Sequence, residues 1–127
     1  MRIRAIHLVL ATVCLSPSAS AQWVQTNGPY GAVVNALDAS ETHVIAGTYS
    51  GVFLSTDQGL RWTHVDSGIT STPVYSVAVS GTHLLAGTYA GGVFASADGG
   101  RTWGSTGLTK ASVHCLAVSG TSIFAGT

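Results

Sequence analysis

The segment Ala46-Gly47-Thr48-Tyr49 returns as Ala86-Gly87-Thr88-Tyr89 and again as Ala125-Gly126-Thr127, at spacings of 40 and 39 residues. A fixed period constrains a fold more tightly than composition does, because each unit must bury its apolar face against a copy of itself. The chain is therefore read as a series of similar units packed side by side, and the question becomes what one unit contains.

Alternation and turn residues place four strands in each unit. In the second unit these run from Val74 to Val79, His83 to Thr88, Gly92 to Ser96 and from near Trp103, with Ser80-Gly81-Thr82 as a tight turn. The first unit repeats the pattern at Val33 to Leu37, His43 to Thr48, Gly51 to Ser55 and from Trp62. The first strand of the second unit is apolar on both faces, with Val77 and Val79 on one and Val74 and Ala78 on the other. A sheet packed between two neighbours needs that pattern. Composition agrees: 16 glycines and 8% charged residues suit short, tightly turned strands better than amphipathic surface helices. A period of roughly 40 to 45 residues is what four strands and their turns occupy in one propeller blade. The predicted fold class is all-β, a β-propeller of four-stranded antiparallel blades.

On this reading residues 33–65 form one blade, 74–106 a second and 113–127 an incomplete third. Trp23 precedes Leu37 by about the distance that separates Trp62 from Val77 and Trp103 from Leu116. Residues 22–26 are accordingly expected to be a lone fourth strand that closes the ring and removes its open edge. About two and a half blades are present, and a closed ring of roughly six to eight implies a complete protein on the order of 300 residues. The stretch by itself is expected to be marginal or oligomeric.

The sharpest motif lies between the third and fourth strands. Ser55-Thr56-Asp57-Gln58-Gly59-Leu60-Arg61-Trp62 and Ser96-Ala97-Asp98-Gly99-Gly100-Arg101-Thr102-Trp103 both read Ser-x-Asp-x-Gly-x-x-Trp. In a hairpin this spacing lets the carboxylate accept turn amides while the glycine supplies a positive φ, and the tryptophan returns to pin the turn. Catalysis or calcium binding is the other role open to such an aspartate. Because the residue recurs at one repeat position, Ser55, Asp57, Gly59, Trp62, Ser96, Asp98, Gly100 and Trp103 are read as scaffold. The two octapeptides resemble the Asp-box, or bacterial-neuraminidase repeat, of sialidase-like propellers. The unit is also similar to repeats of photosystem II assembly factor-like and sortilin-like propellers, and the resemblance covers Trp23 to Thr127. It implies the propeller fold and leaves the activity open, since Asp-boxes serve the scaffold of unrelated proteins.

Residues 1–21 stand apart from the repeats. Arg2 and Arg4 precede an apolar run from Ala5 to Leu15, and Ala19-Ser20-Ala21 offers a small-residue cleavage site. This predicts a signal peptide, a mature chain starting at Gln22, and a secreted location: periplasmic, cell-surface or extracellular. The run is too short to span a bilayer, and no membrane span is expected. The remainder carries Arg61, Arg101 and Lys110 against Asp38, Glu41, Asp57, Asp66 and Asp98. That balance supplies no basic field for nucleic acid. Cys115 would be the one cysteine left, in the apolar stretch Val-His-Cys-Leu-Ala-Val, and is expected to be buried and inert.

In four-stranded up-and-down blades the second-to-third and fourth-to-first loops share one face of the disc, with the Asp-box turns on the other. That places Tyr30, Tyr49, Asp66, Tyr89 and Lys110 near a common surface as candidate ligand-binding residues, suited to a peptide or a sugar ring. Packing within the repeat is the other role open to Tyr49 and Tyr89. His43 and His83 are equivalent, with Ser122 in the third unit, so they would be spread around a ring rather than converge on a metal. They are read as exposed strand-start residues, and His64 and His114 show no partner in sequence. No catalytic residue, metal or cofactor is assigned.

Two functions follow, beside a purely structural array on the cell surface. The first is a secreted, non-catalytic binding or assembly module for a protein or glycan. The second is a sialidase-like glycoside hydrolase, which would need an arginine cluster, a tyrosine nucleophile and acid/base carboxylates. The resemblance implies an early arginine in an Arg-Ile-Pro stretch, and no arginine occurs from Gln22 to Leu54. Arg61 and Arg101 fall inside the Asp-box turns, so any hydrolytic residues would have to lie beyond this stretch.

Overall fold

The structure, a computed structural model, describes residues 25–127, and every regular element in it is a β-strand. The leader of residues 1–21, and Trp23 and Val24 of the expected closing strand, lie outside the described residues. Strands β1 (Val34–Ala39), β2 (Val44–Thr48), β3 (Gly51–Ser55) and β4 (Thr63–His64) form an antiparallel sheet in sequential order. Strands β5 (Val74–Ser80), β6 (His83–Thr88), β7 (Gly92–Ser96) and β8 (Gly104–Ser105) repeat it, and β9 (Cys115–Ser119) pairs with β10 (Ser122–Gly126). Register repeats with topology, Ala46 standing opposite Phe53 as Ala86 stands opposite Phe94. Among the described residues no helix is long and apolar enough to cross a membrane.

The strands lie close to where alternation puts them, with two differences. The first strand of each four-stranded sheet runs past its expected end, to Ala39 and Ser80. The fourth is only two residues long, because Trp62 and Trp103 precede it in the turn rather than opening the ladder.

The sheets stack face to face. Ile45, Val52 and Leu54 of the first sheet pack with Val77, Leu84, Ala86, Phe94 and Trp103 of the second. On its other side the second sheet sets Ala78, Leu85 and Val93 against Val113, with Leu116 and Val118 of β9 at the margin. Each fully buried aliphatic side chain here contributes about 1.5–3 kcal/mol relative to exposure. The first strands carry much of the contact between sheets, β1 with β5 and β5 with β9. There the repeated glycine of Ala-Gly-Thr has a steric role: a Cβ on Gly47 would stand 2.9 Å from Val74 Cγ1 and 3.0 Å from Val77 Cγ1. The threonine that follows it is fully buried in both sheets, and Thr48 and Thr88 satisfy their hydroxyls on the carbonyls of Gly51 and Gly92 at 2.8 and 3.0 Å.

Two expectations are corrected. Val74 does not face away from Val77; both join the core between the first two sheets. A β-bulge between Val74 and Ser76, matched by one between Val34 and Ala36, inserts an extra residue and breaks strict alternation. Cys115 is free and exposed rather than buried. It is equivalent to Ser76, whose hydroxyl donates to Val113 O at 3.1 Å across to the next sheet, and among the described residues no sheet covers that side of β9.

Polar side chains tie the sheets at fixed points. Asn35 Nδ2 donates to Val74 O at 2.9 Å, and Val79 N donates to Asp38 Oδ2 at 2.8 Å. Trp103 donates from its backbone to Ser67 O at 2.9 Å and from its indole to Val65 O at 2.6 Å. The buried Trp103 therefore pins the neighbouring sheet and not its own turn. Trp62 instead donates to Gly59 O at 3.1 Å, within its turn.

Candidate functional site

The Ser-x-Asp-x-Gly-x-x-Trp turns are built alike. Asp57 Oδ1 accepts Ser55 Oγ at 2.9 Å and Arg61 N at 2.8 Å, while Ser55 Oγ accepts Gly59 N at 2.8 Å. Asp98 Oδ1 accepts Ser96 Oγ at 2.8 Å and Thr102 N at 2.9 Å, and Ser96 Oγ accepts Gly100 N at 2.9 Å. Gly59 and Gly100 take φ of 87° and 84°, which a side chain resists. Asp98 also accepts Thr102 Oγ1 at 2.6 Å. That bond and the Thr102 amide hold its carboxyl at about 2 against an ordinary 3.8. Asp57 is lowered too, chiefly by the Arg61 amide, with arginine where the second turn has threonine. Both carboxylates are thus occupied by their own turns.

The five candidate binding residues fall into two groups. Around the first sheet, His64 Nε2 lies 3.2 Å from Asp66 Oδ2 and 3.2 Å from Ser50 O, beside Tyr49 in the chain. The approach depends on Gly51, at φ 133°, since a Cβ there would meet Asp66 Oδ2 at 2.6 Å and His64 Nε2 at 2.7 Å. The imidazole packs on Phe53 with ring centroids 4.7 Å apart. Phe53 in turn lines a cleft of about 480 Å³ with Asn27, Tyr30, Leu60 and Trp62. Tyr30 is therefore drawn to the tryptophan of the first turn, and Tyr49 is exposed, one residue before the Ser50 carbonyl that faces His64.

Around the second sheet the grouping is aromatic. Tyr75 stacks on His114 with centroids 5.1 Å apart and planes 14° apart, and Tyr89 meets Tyr75 at 6.1 Å and 77°. The loops carrying these rings are fixed by serines: Ser71 Oγ donates to Tyr89 O, and Ala90 N donates to Ser112 Oγ at 3.3 Å. Lys110, exposed and at φ 56°, lies in the loop that crosses the β6–β7 turn, where Gly92 N donates to Ala111 O at 2.9 Å. Its side chain makes no hydrogen bond or ion pair among the described residues.

Sequence reasoning missed Tyr75 and His114, and gave His64 and His114 no partner. The signal was available in the repeat itself. Asn35, Tyr75 and His114 occupy one repeat position, each preceded by a valine, yet share no chemistry. A position that varies inside an otherwise constant frame is free of the scaffold's demands. His83 is exposed at the start of β6 as expected, whereas His43 is half-buried and its Nδ1 is 2.7 Å from Thr42 Oγ1.

Of the carboxylates, Asp38 accepts the Val79 and Ala39 amides, Asp57 and Asp98 serve their turns, and Asp66 faces His64. Among the described residues no group of three or more histidine, cysteine, aspartate or glutamate side chains is placed to hold a metal.

No family model matches the chain, and no curated protein matches it. Among solved structures, the computationally designed Ika4 protein is similar with a TM-score of 0.44 at 10% identity, over 83% of this chain and 92% of that one.

Proposed function

We propose that the chain belongs to an exported Asp-box β-propeller that binds a protein or glycan and performs no hydrolysis. The propeller reading is supported by equivalent four-stranded sheets stacked in register, with contact concentrated on their first strands. Sheets that converge on one strand fan outward, and a fan continued through further units closes into a ring. Export rests on the leader sequence of residues 1–21, with cleavage after Ala21. A carbohydrate or peptide fits exposed aromatics held on loops by a rigid scaffold.

The observation that carries binding over hydrolysis is the engagement of the aspartates. Sialidase-like hydrolysis needs an arginine cluster, a tyrosine nucleophile and a carboxylate free to exchange a proton. Here four carboxylates are tied to backbone amides or to an imidazole at separate places in the fold.

The test is to screen the purified chain against an oligosaccharide array and a panel of extracellular proteins, and in parallel against a fluorogenic sialoside. Binding that falls when Tyr49 and Tyr89 are both replaced by alanine, with no turnover of the sialoside, is expected. Turnover above the buffer rate, or the absence of any ligand in both panels, would overturn the reading.

A further inference from the structure

We infer that the corner formed by Tyr75, His114 and Tyr89 is a binding site for a neutral saccharide. This deepens the binding function proposed above and rests on it. Tyr75 and His114 occupy the same repeat position on adjacent sheets, and their rings touch because the first strands converge. The bulge between Val74 and Ser76 falls at Tyr75, which stands outside the paired register of β5. The β-ladder therefore makes no demand on this side chain, and its ring is spent on the equivalent residue of the next unit, His114.

The geometry is that of a wall and a floor. Two nearly parallel rings, 14° apart, form one side, and Tyr89 stands at 77° to Tyr75 and is 52% exposed. A pyranose presents a flat face of C–H bonds, slightly positive, which an aromatic π-face attracts, and a rim of hydroxyls that remain in water. A ring laid on Tyr89 with its edge against the Tyr75–His114 stack satisfies both requirements. Asn35 fills the corresponding position on β1 and spends its Nδ2 on Val74 O. The serine bonds that fix the Tyr89 loop mean that the corner is formed before the ligand arrives.

Charge and shape select the ligand class. Among the described residues none of the three rings is ion-paired, and what the rings themselves offer a ligand is π-face, with Lys110 standing in the neighbouring loop. The corner is open, and the cleft of about 480 Å³ lies elsewhere, with Tyr30 and Trp62. A peptide anchor seeks an enclosed, desolvated pocket, whereas a sugar needs one exposed ring face.

The experiment is isothermal titration of the full chain with neutral oligosaccharides, namely cello-, malto-, manno- and chitooligosaccharides, in the wild type and in Tyr75→Ala, Tyr75→Phe, Tyr89→Ala and His83→Ala. At least one series is expected to bind. Tyr75→Ala and Tyr89→Ala should each weaken it by about tenfold or more, while Tyr75→Phe keeps the ring and His83→Ala alters an exposed residue at the other end of the sheet, opposite Ser80, so both should bind as the wild type does. Thermal melting of each variant separates loss of fold from loss of contact, and Tyr89→Ala, which removes an exposed ring, decides the matter if Tyr75→Ala fails to fold. Binding that survives Tyr75→Ala and Tyr89→Ala, or that His83→Ala abolishes, overturns the site. If no neutral saccharide binds while a protein from the extracellular panel does, the saccharide site is refuted and the broader binding function stands.

Discussion

Asp98 and Asp57 occupy equivalent turns, yet one residue in each turn gives them different acid behaviour. Thr102 offers Asp98 both an amide and a hydroxyl, where Arg61 offers Asp57 an amide and a cationic side chain. The folded carboxyl of Asp98 is held at about 2, below its ordinary 3.8. A depressed carboxyl stabilises the fold while it is ionised in both states, and that stability is lost as pH falls from about 4 through about 2. Denaturant midpoints measured across this window should fall steeply in the wild type and less steeply in Asp98→Asn, which cannot ionise. Equal slopes would show that the turn does not sense the charge. The serine beneath it behaves differently, because Ser96 is 1% exposed and its hydroxyl both accepts Gly100 N and donates to Asp98. Ser96→Ala leaves a buried amide without an acceptor and should cost about 1–3 kcal/mol at neutral pH, read as a lowered denaturation midpoint.

At the scale of the element, one turn recurs in two different surroundings, and this separates packing from turn chemistry. Trp103 is 6% exposed and bonds to Val65 O of the adjoining sheet, whereas among the described residues Trp62 bonds to Gly59 O within its own turn. Trp103→Phe should therefore destabilise by about 2–4 kcal/mol, the sum of a lost inter-sheet bond and a partly filled core. Trp62→Phe should cost about 1 kcal/mol or less, and urea denaturation of the two variants measures the difference. Equal losses would mean that the tryptophan stabilises the turn alone. Gly47→Ala belongs to the same argument: the added methyl must push Val74 and Val77 away, which overpacks the junction of β2 with β5 by about 1–3 kcal/mol. Most strands were legible because alternation and turn glycines are local signals. The bulge was not, since an extra residue in a ladder leaves no mark in composition, and it alone moved Val74 to the opposite face from the one its spacing gave. Cys115 was misread for a different reason: its strand pattern is apolar, but burial depends on a sheet that has to stand beside it.

Across the whole molecule, the repeat made the stack of sheets legible and left the site mostly hidden. Tyr49 and Tyr89 could be found as repeated loop residues, yet their neighbours differ, because His64, Asp66, Tyr75 and His114 each enter once. Contacts between non-equivalent residues of different units have no periodic signature. The same stacking yields a consequence for assembly. Leu37 is equivalent to Val77 and Phe124 to Leu85, both of which are buried between sheets. Leu37 itself is 63% exposed and Phe124 60% exposed, at opposite ends of the stack. Each end therefore presents half of an interface that the molecule already makes internally, and the halves are complementary rather than identical. Association through them is heterologous, one copy's first sheet receiving another copy's β9–β10 pair. Sedimentation of the chain over rising concentration should show reversible growth beyond the monomer. Leu37→Lys and Phe124→Lys should each stop growth by blocking one end. Mixed together they should form a dimer and nothing larger, because each variant still carries the end the other lacks. A wild-type chain that stays monomeric throughout, or single variants that still assemble, would show that the exposed faces are not equivalent to the buried ones.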